Sequence, residues 1–160
     1  MPKRPWNRVN LPVYSICSSD GNQHFNMHII TYASQISMKP KRFVCGIYEG
    51  TQTLQNVAAN PRFVLQLLAA SQYRLVDLLG KKSGKHVDKI ARLEKRKLLT
   101  QWKGYPILKE CLAVMELTVL SRFDGGDHAG FLCEVSDYKN IQEGSPLTLD
   151  ILREHNLIRI

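Results

Sequence analysis

Four short stretches of this chain hold residues that could do chemistry. The first is a polar run, Thr31-Tyr32-Ala33-Ser34-Gln35-Ile36-Ser37, in which hydroxyls, an aromatic ring and an amide follow one another. The second, Glu49-Gly50-Thr51-Gln52-Thr53, sets a glycine and two threonines just ahead of an amphipathic run. A helix starting there would offer its first backbone N–H groups and the positive end of its dipole to a phosphate; the bland alternative is that Thr51 or Thr53 merely caps it. The third, Gly80-Lys81-Lys82-Ser83-Gly84-Lys85-His86, is a basic loop able to fold over an anion, or simply an exposed charged loop. It is not a P-loop, since three residues rather than four separate its glycines and His86 follows the lysine. The fourth, Gly126-Asp127-His128, places a histidine just past a turn, as donor, proton shuttle or bystander.

Other chemistries find no support. There is no serine–histidine–acid order and no paired-carboxylate pattern. His24, His28, His86, His128 and His155 are too scattered for a metal site. Cys17, Cys45, Cys111 and Cys133 lie far apart in apolar stretches with no CxxC pair, which reads as buried, reduced thiols and a cytoplasmic protein. The N-terminal stretch has no long apolar segment, so no secretory signal is read, and no apolar run is long enough to span a membrane.

The length of 160 residues fits one domain with a real core. A net charge of +8, concentrated at 2–8, 39–42 and 81–97, raises nucleic acid as a partner. The basic clusters carry no interleaved stacking aromatics and no helix-turn-helix or RNP-like pattern. A phosphorylated cofactor is attracted equally well, and solvated positive surface is the plain alternative.

Short elements must position these residues. Residues 1–10 read as an extended arm and 13–18 as a strand. Ser19-Asp20-Gly21-Asn22 has the chemistry of a hairpin turn, with a return strand from His24 leading into the polar run. Met38-Lys39-Pro40 turns the chain into a strand over 42–48. Leu54, Val57 and Ala58 then mark one face of a helix that Asn60-Pro61 ends. Residues 63–68 form a strand. Ser71 caps a helix with an apolar stripe of Leu75, Val76, Leu78 and Leu79, closed by Gly80. A charged helix over 88–98 and a turn at Gly104-Tyr105-Pro106 follow. Cys111, Ala113, Met115, Leu117 and Val119 alternate on one strand face; after the Asp124-Gly125-Gly126-Asp127 turn, Phe131, Cys133 and Val135 do the same. The chain closes on a short helix and a last strand within 146–160. Many short strands with few helices predict a closed or half-closed β-barrel.

The order of these motifs resembles the flavin reductase-like family, over roughly residues 13–141. That family carries a similar Thr/Ser-x-aromatic-x-Thr/Ser-Gln-Val/Ile-Ser run followed by a strand and a threonine-bearing turn. Ser83-Gly84-Lys85-His86-Val87-Asp88-Lys89 looks like the SG-basic-x-x-DK stretch of its flavoredoxin-type members, and Gly126-Asp127-His128 like its GDH stretch. Cys133 stands where the family commonly has glycine, Tyr32 where many members have tryptophan, and Gln66 where asparagine is common.

The resemblance implies a mainly β (α+β) fold: an FMN-binding split β-barrel of Greek-key type with a few short peripheral helices, in a single domain spanning 1–160. It implies hydride transfer from NADH or NADPH to FMN, in a homodimer with the flavin at the subunit interface and a possible downstream electron-acceptor protein. Asn26, Thr31, Tyr32, Ala33, Ser34 and Gln35 would contact the cofactor, with Glu49, Gly50, Thr51 and Thr53 at its phosphate. Lys85 or Lys89 would favour negative charge on it, and His128 would be the catalytic residue facing the nicotinamide. The alternatives are a flavoredoxin-like FMN electron carrier without NAD(P)H activity of its own, and a basic nucleic-acid or protein-interaction barrel.

Overall fold

The computed structural model describes residues 4–158. Strands β1 (Tyr14–Ser19) and β2 (Phe25–Ile30) form the first antiparallel hairpin. Its turn is held by Asp20, whose Oδ1 accepts the Asn22 N–H at 2.7 Å, and by Gly21 at φ +92°, a left-handed geometry that glycine adopts freely. Only Thr31 and Tyr32 separate β2 from β3 (Ala33–Met38), which turns through a cis Lys39-Pro40 bond into β4 (Lys41–Tyr48). Helix α1 (Gln52–Ala59) leads to β5 (Arg62–Leu67). A 3-10 turn (Ala70–Leu75) runs into α2 (Val76–Lys81), and α3 (Lys89–Lys95) precedes the small hairpin of β6 (Leu99–Trp102) and β7 (Tyr105–Leu108). The long hairpin of β8 (Ala113–Asp124) and β9 (His128–Asn140) and helix α4 (Leu149–Glu154) complete the chain.

Seven strands make one antiparallel sheet in the order β2-β1-β5-β8-β9-β4-β3. Its edges, β2 and β3, are consecutive in the chain and joined by two residues, so the sheet must roll until the edges meet at that link. The roll is visible in the interior. Ile16 from β1, Leu65 from β5, Leu117 from β8, Cys133 from β9 and Ile47 from β4 share one core. The Tyr14 and Phe43 rings meet edge to face at 6.4 Å across the barrel. No ladder joins β2 to β3, which makes this a split barrel, mostly β with a few short helices. A second core lies between the sheet's outer face and the helices, where Met27, Val64 and Val114 pack on Leu79, Leu93 and Leu152.

Several local expectations change. Pro5–Arg8 form a 3-10 turn rather than an extended arm, with proline in the first turn, where its missing N–H does no harm. Asn10 Oδ1 accepts the Asp150 N–H at 2.9 Å, tying this segment to α4. On α1, Ala58 is exposed, and Thr53 and Asn56 are buried with Leu54 and Val57. Ser71 caps nothing; Gln72 accepts the Ala69 N–H at 2.8 Å instead, and Gly80 lies inside α2. The turn expected at Gly104-Tyr105-Pro106 falls at Lys103-Gly104, with Tyr105 and Pro106 already in β7. Met115, Leu117 and Val119 face the barrel core, whereas Cys111 joins Val114 in the second core. Leu157 and Ile158 are not strand, and the rest of the expected last strand lies outside the described residues.

All four cysteines are free and buried, and burial pushes the Cys111 thiol up to about 12. Cys133 fits the interior without difficulty, fully buried beside Phe131 and Cys45. Among the described residues, no helix is long and apolar enough to cross a membrane, and no cluster of side chains could hold a metal ion.

Candidate functional site

The split in the barrel gathers the candidate residues into neighbouring pockets. One, a cavity of about 420 Å³, lies where the start of α1 faces β2 and the loop after α2; Asn26, His28, Gly50, Thr51, Ser83 and Lys89 are on its walls. Thr51 caps α1: its Oγ1 accepts the Leu54 N–H at 3.2 Å while its hydroxyl donates to the Tyr48 carbonyl at 2.9 Å. That single proton is already in use, so an anion would have to compete for it. The N–H groups of Gln52 and Thr53 in the first turn have no intrahelical acceptor, by the geometry of any helix start, and are the donors this end offers.

Thr53 is fully buried, and its Oγ1 accepts from Asn26 Nδ2 at 3.1 Å. Its hydroxyl therefore sets the Asn26 amide rather than projecting as an independent arm. Asn26 is itself pinned from the other side, because a Cβ on Gly84 would stand 2.2 Å from its Oδ1. Only glycine lets the basic loop approach so closely.

Of the two lysines expected here, Lys89 is the buried one, only 3% exposed, with Nζ donating to the Leu79 carbonyl at 3.0 Å. Burial pulls its pKa down to about 8. Asp88 caps α3 by accepting the Ala91 N–H, which fixes the turn that delivers Lys89. Lys85 is exposed and lines an adjoining cavity with His24 and His86, which shares Asn26, Gln52, Gly84 and Lys89 with the first pocket.

A further cavity of about 450 Å³ lies at the link between β2 and β3. Thr31, Tyr32, Ala33 and Ser34 line it with Gly46 and His128. His128 is held by Asp127, Nδ1 to Oδ1 at 2.7 Å, and stands between the Tyr32 and Tyr48 rings at centroid distances of 4.8 and 5.1 Å. The two pockets are stitched together: Tyr48 also borders the first, and Glu49 N donates to the Asp127 carbonyl at 3.0 Å. Glu49 turns its carboxylate outward to Arg122, 3.8 Å away. Gln35 lies apart from both, lining a cavity at the other end of β4 with Phe43 and Tyr138. Gln66 is fully buried, accepting the Leu108 N–H at 2.7 Å, which makes it a core residue.

One residue escaped the sequence reading. His28 lines the first pocket with its Nδ1 buried and unpartnered. Burial, then the charges of Lys89 and His128, depress its pKa to about 4. The signal was present in the strand period: residues 26, 28 and 30 share one face of a strand, so His28 points the same way as Asn26.

The chain belongs to the flavin reductase like domain family, whose model matches residues 6–153. Among curated proteins it is 28% identical over 150 residues to a high molecular weight rubredoxin of Moorella thermoacetica, covering 92% of this chain but only 64% of that protein. The NADH:FAD oxidoreductase of Streptomyces globisporus C-1027 superposes with a TM-score of 0.78 at 16% identity, over 92% of this chain and 91% of that one. A flavoredoxin from Methanosarcina acetivorans gives 0.73 at 19% identity, over 88% and 75%. At these identities the two solved structures establish likeness of fold.

Proposed function

We propose that the chain is a flavoprotein oxidoreductase that binds FMN and accepts hydride from NADH or NADPH. In this reading residues 1–160 act as one domain of a cytoplasmic homodimer. The observation that carries it is the convergence, in one basic pocket, of the α1 N-terminus, Asn26, His28 and Lys89, next to a second pocket lined by Thr31, Tyr32, Ala33, Ser34 and His128. The donor set fits a phosphorylated flavin. First-turn helix N–H groups, the ammonium hydrogens that Lys89 does not give to Leu79 and a His28 ring with no described partner leave donors for a phosphate to meet.

Bound flavin would supply the hydride-accepting chemistry, and the chain supplies position and field. Lys89 places positive charge in a poorly solvated setting, which favours an anionic ligand there more than an exposed lysine would. Lys85 adds charge from the exposed loop between α2 and α3. In this reading His128, oriented by Asp127 and wedged between two tyrosines, would hold a nicotinamide at the second pocket.

An electron-carrier reading stays beside this one, because one relative is by name a rubredoxin and one fold neighbour a flavoredoxin. Purified protein mixed with FMN and then with NADH or NADPH separates the two. Loss of nicotinamide absorbance supports the reductase. Bound flavin without that loss supports the carrier, and absence of FMN binding rejects both.

A further inference from the structure

Three buried polar atoms have no partner among the described residues, and one of them, His28 Nδ1, sits at the wall of the anion pocket. No described group bonds the other ring nitrogen either. With Nδ1 sealed, Nε2 is the ring nitrogen left to meet a ligand in the pocket. The tautomer that serves an anion there carries its proton on Nε2 and its lone pair on Nδ1. Charging the ring would put a second proton on Nδ1 with nothing to receive it, close to Lys89 on α3 and His128 on β9, with Lys81 and Lys82 at the same pocket. Glu49, the one carboxylate lining the pocket, is exposed and leans toward Arg122. The depressed pKa of about 4 agrees with this geometry. The imidazole is thus a neutral donor across the physiological range.

We infer that His28 presents Nε2–H to the terminal phosphate of a bound flavin nucleotide and makes this pocket select phosphorylated over unphosphorylated flavin. This rests on the reading that the pocket takes the flavin's phosphate. Neutral donors and lysines play complementary roles there. The lysines supply attraction, while the imidazole supplies a directional contact whose donor keeps one protonation state as pH moves between about 6 and 8.

The test is a titration of wild type, His28→Gln and His28→Asn with FMN and with riboflavin, followed by flavin fluorescence. Gln can place an amide N–H near the position of Nε2, and Asn near that of Nδ1. Expected is an increase in the FMN dissociation constant of about tenfold or more in H28N, from losing one hydrogen bond to a charged group. In H28Q the loss should be much smaller, and riboflavin affinity should stay within about twofold in both. Long-range proton–nitrogen NMR of the wild-type ring should report a neutral, Nε2-protonated imidazole with and without FMN. Equal losses for FMN and riboflavin, equal behaviour of Gln and Asn, or an Nδ1-protonated or cationic ring would each overturn the assignment. Wild type that binds neither flavin would remove the reading of the pocket itself, a failure visible before any variant is made.

Discussion

Lys89 occupies a place where an apolar side chain would make a more stable protein. Its ammonium is buried against a single backbone carbonyl, and its pKa is drawn from 10.5 to about 8. The unfolded chain binds that proton more tightly than the folded one. The penalty is therefore fully present below about pH 8 and is relieved as pH rises from 8 toward 10.5. Replacing Lys89 by Met keeps the stem's packing and discards the charge. The variant should be more stable at neutral pH by on the order of 2 kcal/mol and should bind FMN about tenfold more weakly or worse. Urea unfolding and a flavin titration check the two halves, and a variant both weaker in stability and unchanged in affinity would refute this role. Wild-type affinity for FMN should also decline as pH passes about 8, where the ammonium loses its charge. The sequence displayed both lysines of the basic stretch but not which one is buried. That depends on α3 docking beside β2, a contact between segments some sixty residues apart that no local pattern encodes.

At the scale of elements, the loop between α2 and α3 is fixed by close approach more than by hydrogen bonding. Gly84 lies against the Asn26 amide, which in turn is held by Thr53. A Gly84→Ala change should push the loop off β2 and disturb Asn26. FMN affinity is expected to fall several-fold while the urea midpoint barely moves, because the loop is mostly exposed and contributes little to either core. A variant with unaltered affinity would show that the loop does not frame the pocket. The turns and caps of this protein were mostly legible: Asp20-Gly21, Asn60-Pro61 and the Gly125-Gly126 turn act through their own residues. The start of the helical segment after β5 was not. Ser71 had the right type, but the segment starts two residues earlier, where the Ala69 N–H is satisfied locally by the Gln72 side chain three residues on.

For the molecule as a whole, the barrel's makeup was readable and its strand order was not. Alternating runs announced the strands, yet the pairing of β4 with β9 and of β5 with β8 joins segments far apart in sequence. The order leaves β3 as an edge with Ile36 and Met38 exposed by 54% and 81%, beside an exposed Tyr32. An edge this apolar calls for a cover, which fits the proposed homodimer. Light scattering after size exclusion should find a dimer, and Ile36→Lys together with Met38→Lys should yield monomers that hold flavin poorly. A monomeric wild type with full flavin affinity would remove the partner subunit from the site.

The two-residue bridge from Ile30 to Ala33 has a mechanical corollary. A strap that short ties the barrel's margins together at Thr31 and Tyr32, so any widening of the seam is least at the strap and greatest at the far ends of β2 and β3. The segment that sets this limit also lines the second pocket.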